Sequence, residues 1–472
     1  MAIALLAGRL AGLVRELQLA NTLGVSHAAD VAVLLLTIPD LLVGLLLAGG
    51  LSAALVPRLR QLPATDATAL FRRATLLATL TFGAIGLFFA LFPDLVLRVL
   101  APGVARPSAL LDATAPVWVA VALPLTAASG VVSAYLNARD RFFIAGLGTL
   151  VFNLSVIAAL SLGGSARALL GNITVAIAVG TLLRLTLQTA ILPRDAWRRG
   201  GDWRGDAGLA RAFAAGIGSA GLALLAPILV RAAASLLAPG TIASFNYAQK
   251  LTELPTGILI TTISTVALTR FSAAIADGDA ERLERSIVEQ TRRAFFVAFS
   301  AMAVGVAFAP ALVAVLFGHG AMSEDALPIV STLARIALFG LPFVAISSMA
   351  TAVLNARLQT TVVLRVTMGC VMLLPLLVAP GVVLASSPVL MGAVIGFQAL
   401  IAALLARAAN LRLVGVGAIV DARLATLAGT VAVLAGAAWL LSEMVAAPPV
   451  AALAISGVAF AAAMLATRWV KA

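Results

Sequence analysis

The sequence predicts an all-α polytopic membrane protein of fourteen transmembrane helices, built as two parallel six-helix lobes plus a C-terminal helix pair. Three observations carry this. First, the 472-residue chain is 62% hydrophobic and 11% charged, with a mean hydropathy of +1.09. A soluble core could not bury that much apolar surface and still present a polar outside. Second, apolar runs of the ~20 residues needed to cross a bilayer recur along the chain. Third, the connections between the runs alternate sharply in Arg and Lys content, the statistic that sets orientation.

The apolar runs fall near residues 2–23, 31–57, 74–97, 113–137, 143–163, 169–192, 212–237, 242–269, 294–317, 327–353, 362–384, 388–406, 424–441 and 448–467. Connections after even-numbered segments, with Arg365 at the start of the eleventh run counted among them, hold 23 Lys and Arg residues, and those after odd-numbered segments hold three, Arg98, Arg106 and Arg167. Both termini are therefore expected on the cytoplasmic side. The net charge of +12 is accounted for by this cytoplasmic excess, so nucleic acid is not the expected partner. Residues before the first apolar run carry no basic stretch and no small-residue cleavage site, so helix 1 is expected to stay in place rather than be removed as a signal peptide. The longest polar stretch, "PRDAWRRGGDWRGDAGLAR" at 193–211, has the composition of a linker. It divides the chain into an N-terminal lobe at 1–193, a linker at 194–211, a C-terminal lobe at 212–411 and a helix pair at 412–472.

The two halves resemble each other at nearly constant spacing. Arg72-Arg73-Ala74 recurs as Arg292-Arg293-Ala294, and "PDLVLRVLAPG" (93–103) recurs as "PALVAVLFGHG" (310–320). Leu123-Pro124 recurs as Leu341-Pro342, and Leu136-Asn137-Ala138-Arg139 as Leu354-Asn355-Ala356-Arg357, both offset by 218. Pro39 and Pro255 sit in corresponding second helices. Six helices per copy is an even number, so both copies enter the membrane in the same orientation. That gives parallel repeats about an axis along the membrane normal, the architecture of an alternating-access carrier.

Charges inside the apolar segments are the candidate functional residues, because a charge at the membrane centre costs ~2.5–3.5 kcal/mol and normally faces a cavity or a partner. Arg184, Arg231 and Arg335 lie near segment ends, where a long side chain can snorkel to the headgroups. Helix 1 is different. Arg9 and Glu16 are seven residues apart and share a face, whereas Arg15 points elsewhere, so one helix offers two basic directions. Helix 8 adds Lys250 and Glu253 at i,i+3, a spacing that also permits simple local pairing. Arg9, Arg15, Lys250 and Arg231 outweigh Glu16 and Glu253 in charge, so the expected cargo is anionic. Forked guanidinium donors match two phosphate oxygens at once.

Other chemistry has no residues to support it. No Gly-Lys dipeptide occurs, hence no phosphate-binding P-loop and no resident ATPase. His27 and His319 stand apart in separate connections, and the lone Cys370 lies in an apolar run, which leaves no metal set, disulfide framework or nucleophile–base pair. No Asp-rich cluster is present to hold magnesium diphosphate. The chain is expected to be neither an enzyme nor dependent on a cofactor.

"GRLAGLVRELQLANTLGVSHAADVAVLLLTIPDLLVGLLLAGGLSAALVP" (8–57), "LAPG" (100–103), "LNARDRFFIAGLGTLVFNLSVI" (136–157), "YAQKLTELPTGIL" (247–259) and "ALFGLPF" (337–343) resemble the lipid II flippase family, MurJ/MviN, within the multidrug and oligosaccharidyl-lipid exporter superfamily. The resemblance runs from helix 1 through helix 12. It implies a multi-pass protein of the bacterial cytoplasmic membrane, acting as a monomer on an undecaprenyl-diphosphate-linked saccharide, alongside proteins of cell-wall or glycan synthesis. It also implies that Arg9 and Arg15 line a cavity between the lobes, that Lys250 stands where the family usually has a third arginine, and that helices 13 and 14 form a groove for the lipid tail. This chain departs from the family in helix 2, where Val43-Gly44 and Ala48 replace a basic pair and an acidic residue. No acidic residue stands in helix 7 or helix 11, so a sodium site described for some relatives is not carried over.

On this reading the carrier alternates between inward-open and outward-open states by rocking of helices 1–6 against 7–12, with Pro39 and Pro255 as bending points. Three rivals remain: a flippase for another polyprenyl-linked glycan, a multidrug antiporter, and a non-transporting scaffold. The orientation is tested with single cysteines in a Cys370→Ser background. A cysteine at Pro107 is expected to react with an impermeant thiol reagent in intact cells, and one at Trp203 only after permeabilisation. The reverse pattern would overturn the orientation.

Overall fold

The structure, a computed structural model, describes residues 2–44, 51–104, 107–192, 196, 221, 224–411 and 449–466, together with stretches within 429–440. All regular elements among the described residues are helical. Eight helices among the described residues are long and apolar enough to cross a membrane. The chain divides into two compact units, Met1–Ala243 and Ser244–Ala472. The linker at 194–211, apart from Ala196, lies outside the described residues, as do Ala48, the start of the seventh segment and much of the thirteenth.

The first unit contains α1 (Ala2–Leu23), α2 (His27–Val43), α3 (Leu51–Gln61), α4 (Ala64–Leu91), α5 (Pro93–Leu100), α6 (Ala115–Ala138), α7 (Phe142–Ser161) and α8 (Ala166–Ala190), then α9 (Leu224–Ser235). Local signals set the boundaries. Gly24 adopts φ +58° to end α1, and the Ser26 hydroxyl then accepts from the Ala29 N–H at 3.1 Å to start α2. Hydropathy alone places the third crossing at 74–97, whereas α4 begins at Ala64 and ends before Pro93. Its polar first turns continue the helix beyond the apolar run, and the proline starts a new element, α5. Leu76, Leu80, Leu87 and Leu91 stand exposed along one stripe of α4, the face that meets lipid. On its other side α4 packs on α6 so closely that a Cβ at Gly86 would overlap the Ala120 carbonyl. Phe71 packs against Tyr135 with tilted rings whose centroids are 4.5 Å apart, in a core that also holds Leu70, Val131 and Leu136.

The second unit holds most of α10 (Thr241–Pro255), a π turn at Thr256–Ile260, and then α11 (Thr261–Ala276), α12 (Ala280–Phe317), α13 (Ala326–Leu338), α14 (Leu341–Ala356), α15 (Thr360–Val383), α16 (Ser387–Ala408) and α17 (Pro449–Ala466). With 38 residues α12 is about 57 Å long at ~1.5 Å per residue, well beyond the ~30 Å of hydrocarbon. Its charged beginning, "AERLERSIVEQTRR", therefore extends out of the apolar layer, and the spanning part matches the segment expected from 294. Ala435 and Trp439 pack with Val304, Phe308 and Ala452, so the described C-terminal helices lie on α12.

The internal repeat extends to hydrogen bonds. After α6, Asp140 takes φ +59°, and after α14, Leu358 takes φ +60°. The N–H of Arg141 bonds the Leu136 carbonyl at 2.9 Å, and that of Gln359 bonds the Leu354 carbonyl at 2.8 Å, the same helix-ending motif twice. Arg141 then reaches the carbonyl of Ile191 at 2.6 Å and Arg357 that of Ala409 at 2.9 Å. The acceptors are again 218 residues apart.

The α4–α6 contact yields a stability test. Gly86→Val should cost about 1–3 kcal/mol through overpacking and lower the unfolding temperature of the detergent-purified protein. Gly369→Val, on α15 with open space around it, should leave that temperature unchanged; equal behaviour of the two variants would refute the close packing.

Candidate functional site

Helix α1 carries its charges against α7, and small residues make this possible. Gly8 and Gly12, in "GRLAG", are one turn apart. A Cβ at Gly8 would lie 3.3 Å from the Thr149 Cβ, and one at Gly12 would lie 3.4 Å from Nδ2 of Asn153. Such small-xxx-small spacing lets two helices approach closely in a membrane. The close approach brings Asn153 to Arg15. Asn153 donates from Nδ2 to the Gly8 carbonyl at 3.1 Å, which fixes its amide so that Oδ1 accepts from Arg15 Nη1 at 3.1 Å.

Arg15 and Glu16 are 6% and 3% exposed, so both charges are withdrawn from solvent. Arg15 Nη2 donates to Glu16 Oε1 at 2.7 Å and to Asp40 Oδ2 at 3.2 Å. Adjacent helical residues do not normally face each other, and the sequence reading set Arg15 apart from Glu16. The length of the guanidinium, anchored by Asn153, brings it back to its neighbour. Nε of Arg15 is buried with no partner among the described residues. Arg9, a turn and a half earlier, is exposed.

Asp40 follows Pro39 in α2 and is half exposed. Proline lacks an N–H, so the helix loses one backbone bond there, yet α2 continues to Val43. Beside Asp40 is a cavity of about 30 Å³ lined by Pro39, Asp40, Thr126, Phe152, Thr181 and Arg184, among others. Arg184 does not snorkel as its place near a segment end suggested. It is 4% exposed, lies over Gly148 where a Cβ would come within 2.8 Å of its Cγ and Nε, and leaves Nε and Nη2 without partners. Chain position gave its distance from a segment end but not the direction of its side chain, which the missing Cβ of Gly148 directs inward.

A second carboxylate has a structural role. Asp30, 2% exposed, accepts from the Gly240 N–H at 2.6 Å and the Ala243 N–H at 2.8 Å. It thereby caps the first turn of α10, where unpaired N–H groups and the helix dipole favour a negative charge. Gly240 is required there, with φ +87° and Val25 Cγ1 only 2.6 Å from where a Cβ would stand.

In the second unit, Lys250 Nζ donates to Glu253 Oε2 at 2.8 Å and Oε1 at 3.0 Å, so these two do pair locally. The π turn begins directly after Pro255; its widened backbone surrounds the position where the proline supplies no N–H. Arg231, in the first unit, is half-buried. Among the described residues no three His, Cys, Asp or Glu side chains gather as metal ligands. Asp40, Asn153 and Arg184 were missed as site residues from the sequence.

In the first unit a fixed guanidinium, shielded from water, is thus neutralised by two carboxylates. Residues 19–457 match the family model "Lipid II flippase MurJ". A probable lipid II flippase MurJ of Thermotoga maritima is 24% identical over 318 residues, covering 67% of this chain and 64% of that protein, so the chain spans just under two-thirds of that relative's length. A solved structure of lipid II flippase MurJ in an inward closed conformation superposes with a TM-score of 0.84 at 15% identity, over 99% of both chains. An inward-facing multidrug resistance MATE transporter of the MOP superfamily superposes with a TM-score of 0.69 at 16% identity, over 86% of this chain and 94% of that one. The chain is a multi-pass membrane protein that belongs to the lipid II flippase family, MurJ.

Proposed function

We propose that the protein flips an undecaprenyl-diphosphate-linked peptidoglycan precursor, lipid II, from the inner to the outer leaflet of the bacterial cytoplasmic membrane. The observation that carries this reading is Arg15: a buried guanidinium on α1, oriented by Asn153 and paired with Glu16 and Asp40. A diphosphate can displace Asp40 from this guanidinium, because its oxygens suit the forked donors and it carries more charge than a carboxylate. Arg9, Arg231 and Lys250 are assigned as further cations; Glu253 is the counter-ion of Lys250, and Glu16 that of Arg15.

The mechanism follows from charge and solvation. Drawing a diphosphate headgroup through hydrocarbon strips its hydration at large cost, and a basic aqueous cavity substitutes for that hydration. With the cell interior negative, outward movement of two negative charges is favoured by about 4–5 kcal/mol per 100 mV, at ~2.3 kcal/mol per charge. ATP is then unnecessary. We assign fourteen helices to the chain, with both termini cytoplasmic, lobes at 1–193 and 212–411, a linker at 194–211, and a tail groove from residues 412–472. Alternating access rocks one lobe against the other, bending at Pro39 and at Pro255, where the adjoining π turn softens the helix. The protein acts as a monomer and as a carrier, not an enzyme.

The test is growth of cells depleted of their own lipid II flippase. Removing Arg15 alone takes a guanidinium partner from the buried Glu16, and breaking a buried ion pair from one side costs about 3–5 kcal/mol. Arg15→Gln combined with Glu16→Gln avoids that and keeps the shape. The parental chain is expected to restore growth, and the double variant to fail at equal membrane abundance. Full rescue by the double variant would overturn the anion clamp. A well-expressed parental chain that never rescues would move the substrate to another polyprenyl-linked glycan, consistent with the Val43-Gly44 departure in helix 2.

A further inference from the structure

The charges of the first unit are arranged unevenly. Arg15 has two carboxylates within hydrogen-bond distance, Glu16 and Asp40, so that group carries one net negative charge. Arg184, equally withdrawn from solvent, has unpartnered N–H groups at Nε and Nη2 and carries one net positive charge. Two guanidinium groups and two carboxylates balance only if the four are counted together. Asp40 joins the two halves: it bonds Arg15 at 3.2 Å and lines the cavity that Arg184 also lines.

The cavity is lined by both Asp40 and Arg184, and two of its three threonines offer it no donor. Thr126 and Thr181 donate their hydroxyl protons to their own helices, to Ala122 O at 2.8 Å and Ile177 O at 2.7 Å. They therefore offer only lone pairs to the space between them, and Arg184 is its cationic donor. At about 30 Å³ the space has room for ~2 waters. Asp40 is the accessible member of the set, half exposed where Arg15, Glu16 and Arg184 are buried.

Resting on the reading of Arg15 as the diphosphate clamp, we propose that Asp40 is a counter-ion shared in turn by two arginines: it neutralises Arg15 while the site is empty and turns to Arg184 when a diphosphate takes Arg15. The exchange gives the displaced carboxylate a partner at the moment of displacement, so cargo binding does not leave an unpaired charge in the lobe. It also provides for release, because Asp40 returning to Arg15 competes with the diphosphate. Asp40 and Arg184 are thus positioning residues, acting on the cargo through Arg15.

The test is a double-mutant cycle on the purified full-length protein, with undecaprenyl diphosphate in detergent as the probe and affinity read by titration calorimetry. Asp40→Asn should tighten binding about tenfold by removing the competitor, and Arg184→Gln should weaken it about tenfold by removing the alternative partner, changes of the size seen for one charged hydrogen bond. In the Asp40→Asn background the effect of Arg184→Gln should shrink to under about threefold, and Arg184→Lys, which keeps the charge, should bind nearly as the parent does. Equal effects of Arg184→Gln in both backgrounds, or weaker binding by Asp40→Asn, would overturn the proposal. If Arg184→Gln does not fold, the sign of the Asp40→Asn change and the Arg184→Lys affinity decide. The Arg15→Gln/Glu16→Gln variant separates the two levels. Loss of binding there with an additive cycle rejects the shared counter-ion alone, whereas parental affinity there rejects Arg15 as the clamp.

Discussion

A guanidinium held away from water inside an apolar helix bundle is tolerable only with partners, and Arg15 sets what the rest of the first unit must provide. Its Nη groups are satisfied by three different side chains from three helices, Glu16, Asp40 and Asn153. Breaking such a buried set is costly, because each member left behind is an uncompensated charge or dipole. Helix packing follows from this requirement. Asn153 reaches Arg15 only because Gly8 and Gly12 let α1 and α7 approach, and the amide is held in turn by the Gly8 carbonyl. The sequence "GRLAGLVRE" thus combines the two glycines of a close helix crossing with the charge that the crossing surrounds.

The same balance explains why the site can be both stable and usable. A guanidinium left with hydrophobic surroundings alone would have moved to an interface, and one sealed by fixed carboxylates would have little affinity left for another anion. Asp40 is half exposed and follows a proline, so the partner that must yield is the least constrained of the three. By contrast Asp30 is fixed: both its oxygens accept backbone N–H groups at the start of α10, which ties it to a helix terminus.

Much of the fold was legible because membrane crossing imposes simple rules on composition. Apolar runs located the helices, and "LNAR" at 136 and 354 located a turn whose hydrogen bonds repeat in space. Helix ends were less legible. Hydropathy reports which residues meet lipid, while α4 and α12 extend into polar sequence that propensity, and at α12 the Asp279 cap, keep helical. Within the site, Arg15 and Glu16 stood out as charges in an apolar segment. Asp40 did not, because a carboxylate after proline in a second helix has no sequence mark that names its partner 25 residues earlier. Asn153 is uncharged and 138 residues away from Arg15, and the inward course of Arg184 depends on Gly148 of a neighbouring helix. Contacts of that separation are set by packing, which a single sequence records only indirectly.

The central claim is that the Arg15 fork is the place where the cargo's diphosphate is held. The most direct measurement is an experimental structure of the full-length protein with undecaprenyl diphosphate bound. The account predicts phosphate oxygens within hydrogen-bond distance of both Nη atoms of Arg15, with Asp40 displaced from that guanidinium. A bound diphosphate located elsewhere, with Arg15 still joined to Glu16 and Asp40, would contradict it.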